Sequence, residues 1–383
     1  MPDAPTLPLS VRLLLDAEDA FLATAEAIPA PGREGHIGPL SAPGGVMAHV
    51  AGTQDLWISG PIAAQPNLAR RTQPDDTAYQ EGVDTFRETI ARTRGHVSSL
   101  DVDALTDLAL LDGSPYANQG LTKGYLVRRS IAHIYLHAAD LTVAGSLVGM
   151  PDLSLPGPLT RCQHIDAADA SSTSLVSLLL DGLDEVRRVA DALPVPAQVG
   201  AFARLNAGSF IVAHVANRED LLWNLGMRGT RDPWLEAANV SPGAPRSVPD
   251  WDDARESLDR TIEAVTPYLE SLTPADLAGT LMYRGNEHPI GAQLARSAVH
   301  VFYHAGELQA LGSLAGMPSL SLPGPLARSA RAERWPNRVS PSAPWARRRT
   351  CPTPACSSPT AGLEAPGATW TSGSPPSAPR PSR

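Results

Sequence analysis

The chain has 383 residues, 43% of them apolar, enough for two or three domains with cores of their own. A formal charge of -9 argues against a nucleic-acid or other polyanionic partner. No apolar run approaches the roughly eighteen residues that a membrane span needs.

Taken in chain order, apolar residues recur at helical spacing over 9–28, where Val11, Leu14, Leu15, Ala20 and Leu22 share a face. Further helices are predicted over 44–59, 76–98 and 122–148, the last stopped by Gly149 and Pro151. Four more follow over 174–192, 207–226, 251–272 and 289–315, the last stopped by Gly316 and Pro318. β-Branched alternation is scarce, so strands are not expected. From 327 onward the character changes. This stretch holds eleven Pro, nine Arg and two acids in 57 residues, and it predicts a disordered tail, or coding sequence read out of frame.

The order of the helices reflects an internal repeat. SLVGMPDLSLPGPL at 146–159 matches SLAGMPSLSLPGPL at 313–326 in twelve of fourteen positions. RSIAHIYLHAADL at 129–141 aligns with RSAVHVFYHAGEL at 296–308, and MAHVAGTQDL at 47–56 with VAHVANREDL at 212–221. A unit of about 165 residues is a domain rather than a solenoid repeat. The expectation is therefore an all-α chain of two tandem four-helix bundles, 5–155 and 173–326, with a linker at 156–172 and the tail at 327–383.

Ten histidines occur, and six stand at equivalent positions: His49 with His214, His133 with His300, and His137 with His304. His133 and His137 are four apart and lie on one helical face, as do His300 and His304. Two such imidazoles can converge on one ion, and His49 or His214, from the second helix of its unit, can complete a facial triad. A lone histidine on an apolar face is usually a core residue. The same triad in both units favours metal. Three histidines without a fourth strong ligand make an open site, where water or a thiolate can bind. Asp140 and Glu307 follow the last histidine by three residues and are candidates for holding it, or for a general base. Asp55 and Asp220 are matched acids more readily read as structural. Arg128, Arg129 and Arg296 lie close enough in sequence to line a polar pocket. Cys162, Cys351 and Cys356 are too few for a disulfide framework, and the CPTPAC spacing at 351–356 is no zinc signature. The opening residues, Met1-Pro2-Asp3-Ala4-Pro5, carry no signal-peptide pattern, and a cytoplasmic setting is expected.

The segment HVFYHAGELQALGSLAGMP at 300–318 resembles the DinB/YfiT-like family, in which a His-x-x-x-His pair is followed by a small residue, Gly, an acid or amide, and an aliphatic. His300, His304, Gly306, Glu307 and Leu308 fit. In the first unit Ala139 replaces the Gly and Asp140 the Glu. The resemblance spans both units and not the tail. It implies four-helix bundles with a divalent ion, zinc or nickel, held by three histidines near one end. It also implies small-molecule chemistry such as S-transfer or isomerisation with a low-molecular-weight thiol, bacillithiol or mycothiol, as co-substrate. Alternatives are a metal-dependent hydrolase and a non-catalytic metal- or ligand-binding protein of the stress response. Because the family often dimerises, the two units are candidates for an intramolecular pseudo-dimer.

Overall fold

The computed structural model describes residues 7–66, 68, 77–109, 120–150, 172–200, 202–241, 246–283, 285–318 and 320. Most of the expected linker and all of the expected tail, with the three cysteines, lie outside the described residues. Eight long helices stand among those described: α1 Leu9–Ala27, α2 Pro43–Gln54, α3 Tyr79–Val97, α4 Lys123–Leu147, α5 Ser172–Ala192, α6 Gly208–Glu219, α7 Trp251–Ser271 and α8 Ile290–Leu314. Each coincides with a predicted segment to within a few residues, although the π-helical segments Asp55–Ser59 and Asp220–Leu225 continue α2 and α6. None of the described helices is long and apolar enough to cross a membrane.

Local chemistry sets the helix ends. Thr122 caps α4 by accepting from the Tyr125 amide at 3.1 Å, and Asp250 caps α7 by accepting from the amides of Asp252 and Asp253. Helices α4 and α8 stop in the same way. Gly149 and Gly316 take positive φ angles of 90° and 85°. The amides of Met150 and Met317 then bond back to the carbonyls of Gly145 and Gly312 at 2.9 and 2.8 Å. This closing turn is what the repeated Gly-Ser-Leu-x-Gly-Met encodes. The methionine folds back onto the first glycine, where a Cβ would come within 2.6 Å of Met150 Sδ or 2.3 Å of Met317 Cε.

In the first half α1 packs on α4, α2 on α3, and α2 also meets α4. The second half repeats these pairings, with α5 on α8, α6 on α7 and α6 against α8. The halves meet chiefly where α4 crosses α8. At the crossing, a Cβ on Gly306 would lie 2.2 Å from Leu136 O and 2.8 Å from Ala139 Cβ. Ala139 and Gly306 are equivalent positions of the repeat, so like meets like. The core runs through both halves, with Phe21, Phe86, Tyr125, Tyr135, Trp223 and Phe302 fully or almost fully buried.

One expectation needs correction. A two-stranded antiparallel hairpin, β1 Thr280–Tyr283 and β2 Asn286–Pro289, precedes α8. Gly285 turns it with φ 78°. Four-residue strands in which Leu281 is buried and Met282 exposed carry too little alternation to stand out in sequence.

Candidate metal centres

Helix α2 carries His49, and α4 carries His133 and His137; α6 carries His214, and α8 carries His300 and His304. The structure brings each trio together, with one ligand atom per residue all within 4.8 Å of one another. Nε2 of His49 lies 3.1 Å from Nε2 of His133. In the second trio the Nε2 atoms of His214 and His300 are 3.2 Å apart, and those of His300 and His304 3.0 Å. Three nitrogens on one ion at 2.0–2.1 Å are separated by about 2.9 Å at right angles and about 3.4 Å at tetrahedral angles. The donor set therefore fits a facial metal triad.

For three of the six imidazoles the far ring nitrogen sets the tautomer. His137 Nδ1 meets Asp140 Oδ2 at 2.8 Å, and His304 Nδ1 meets Glu307 Oε2. His214 Nδ1 donates to the Val240 carbonyl at 2.8 Å. A partner that only accepts keeps the proton on Nδ1, so Nε2 of the neutral ring presents its lone pair to the centre. Burial, first, and then the neighbouring histidines and arginines push His133 and His300 well below the usual imidazole range. Neutral rings are the metal-binding form.

Neither Asp140 nor Glu307 turns its acid toward the Nε2 cluster; each engages the outer nitrogen of a triad member. Asp55 and Asp220 are built into the framework. Asp55 pairs with Arg92 at 3.2 Å and accepts from the Leu68 amide, while Asp220 pairs with Arg231 at 2.5 Å and accepts from Asn224. Both begin the π-helical segments. Arg129 stacks 4.9 Å over the Trp57 ring, and that ring meets His133 edge-on. Arg128 is buried beside Tyr125 and Asp181, and burial pushes its guanidinium down to about 10.

Arg218 and Glu219 were missed by the comparison of repeats. Arg218 lies one turn beyond His214 on the same face, with Glu219 next to it, but the equivalent residues in the first half are Thr53 and Gln54. Selecting residues that the two halves share discards these. The available signal was the i, i+4 spacing from a metal-ligand candidate.

A helical protein with an open three-imidazole centre in each half belongs among candidate metal-binding bundles. Residues 209–308, the segment carrying the second triad, match the family model of the DinB superfamily. Searches of curated proteins and of solved structures gave no match.

Proposed function

We propose that the protein is a divalent-metal-dependent enzyme acting on small molecules, with one centre in each of two tandem four-helix bundles, 5–155 and 173–326. Zinc or nickel suits an all-imidazole set. The observation that carries this reading is the convergence of three histidines in each half, with Nε2 atoms 3.1 Å apart for His49 and His133 and 3.0–3.2 Å apart along the second trio, close to the spacing of ligands on a single ion. The matched helix pairings of the two halves support the tandem architecture, and the Ala139–Gly306 crossing supports an intramolecular pseudo-dimer.

When bound, the ion supplies a Lewis acid that lowers the pKa of a thiol or water at its open position. The residues do the rest. His49, His133 and His137 hold the first ion; His214, His300 and His304 hold the second. Asp140 and Glu307 orient the outer histidines and keep their Nδ1 protons in place. Trp57, packed on His133 and capped by Arg129, walls the first centre from water. A low-molecular-weight thiol such as mycothiol, transferred to a small electrophile or used in its isomerisation, is the co-substrate we favour, in a reducing cytoplasm.

Elemental mass spectrometry on protein purified without a histidine tag tests the reading. Close to two metal equivalents are expected, lost in the His133→Ala/His300→Ala double variant. No metal after reconstitution with zinc or nickel would overturn it.

A further inference from the structure

The two centres differ in a buried pair, Arg218 and Glu219, which stand where the first half has Thr53 and Gln54. Arg218 is 8% exposed, one turn beyond His214 on α6. Its Nε and Nη2 are buried and have no hydrogen-bond partner among the described residues. The nearest acid, Glu219, has Oε1 3.6 Å from Arg218 Nε, beyond hydrogen-bonding distance, and gives its other oxygen to Trp223 Nε1 at 2.7 Å. Glu219 thus offsets the arginine's charge without using its donor edge. Burial also pushes the Glu219 carboxyl upward, which weakens it as a counter-ion.

A buried guanidinium with unmet N–H groups costs stability unless something accepts from it. The charge of Arg218 reaches the metal-ligand candidate His300, as does that of Arg296, one turn before His300 on α8. In the first half the equivalent of Arg218 is Thr53, whose hydroxyl is spent on the His49 carbonyl at 2.9 Å. The arginine of that centre, Arg129, lies over the Trp57 ring; the position equivalent to Trp57 in the second half is Leu222.

From this asymmetry we infer that the second centre takes a small molecule bearing a carboxylate, which Arg218 binds beside the metal, and that the first centre does not select for that charge. The inference rests on the metal-centre reading above and deepens it. The two copies would then accept different substrates, or different parts of one reaction.

Cobalt-loaded protein provides the test, because a thiolate on cobalt absorbs visibly and reports binding without turnover. The His133→Ala variant isolates the second centre and the His300→Ala variant the first. Each is titrated with 3-mercaptopropionate and with 2-mercaptoethanol. The ratio of the two dissociation constants, compared between centres, cancels the intrinsic difference between the thiols. We expect the second centre to favour the carboxylate-bearing thiol about tenfold more than the first does, as a charge-assisted hydrogen bond predicts. Arg218→Ala should abolish that preference and Arg218→Lys keep part of it, with the circular dichroism and the cobalt spectrum unchanged. Equal ratios at the two centres, or a preference that survives Arg218→Ala, would overturn the proposal. If cobalt binds but neither thiol perturbs it, the thiol co-substrate falls, and an acetate titration of the same proteins decides on Arg218 by the same tenfold criterion. If cobalt does not bind, the metal reading and this proposal fall together.

Discussion

Glu18 on α1 is 1% exposed and has Arg94 at 3.1 Å, yet burial outweighs that partner and pushes the carboxyl up to about 7, against 4.5 when solvated. The folded protein then holds this proton more tightly than the unfolded chain does. Its contribution to stability is complete below pH 4.5 and is lost as the pH rises through about 7, a change on the order of 3 kcal/mol. Urea midpoints should therefore fall between pH 5 and 8 in the wild type, and Glu18→Gln should flatten that slope. An equal slope in the variant would show that another group is responsible. The equivalent residue in the second half is Leu183, two residues after the shared run Leu-Leu-Leu-Asp, so an apolar side chain suits the position. In the proposed metal centres, the role of Asp140 and Glu307 is read from metal affinity rather than from stability. Asp140→Ala and Glu307→Ala should each weaken metal binding at their own centre by about 10–100-fold in chelator competition. Unchanged affinity would remove both acids from the site.

Among the elements, the crossing of α4 and α8 and the two π-helical segments hold the centres in place. Gly306 admits no side chain at the crossing, so Gly306→Val should cost about 1–3 kcal/mol through forced separation of the helices. The thermal midpoint measures this, and an unchanged midpoint would mean that the contact yields freely. The π segments begin at Asp55 and Asp220, each buried and paired with an arginine. Asp220→Ala leaves the charge of Arg231 without that carboxylate and should cost about 3–5 kcal/mol in chemical denaturation. A loss below about 1 kcal/mol would show that the pair does not hold the helix end.

At the scale of the whole molecule, the proposed pseudo-dimer has the α4–α8 contact stand in for a contact between separate chains. The chain should accordingly elute as a monomer in size-exclusion chromatography with both centres loaded; a dimer would count against the pseudo-dimer. Its helix pairings repeat from one half to the other, while its two polar surroundings have diverged at residues 53 and 218.

The sequence by itself determined what depends on neighbours along the chain. Periodicity placed the eight helices, the i, i+4 spacing put His133 beside His137 and His300 beside His304, and the repeated glycine-methionine turn ended α4 and α8. Comparing the halves also named His49 and His214, because a shared residue needs no geometry to be noticed. Only the tertiary structure decided the rest. The meeting of His49 with His133, 84 residues away, depends on how α2 packs against α4. The brief hairpin left no repeated or periodic trace, and Arg218 left only its i, i+4 spacing from His214. A guanidinium's unmet donors are a property of the space around it, created by helices that the chain brings together only on folding.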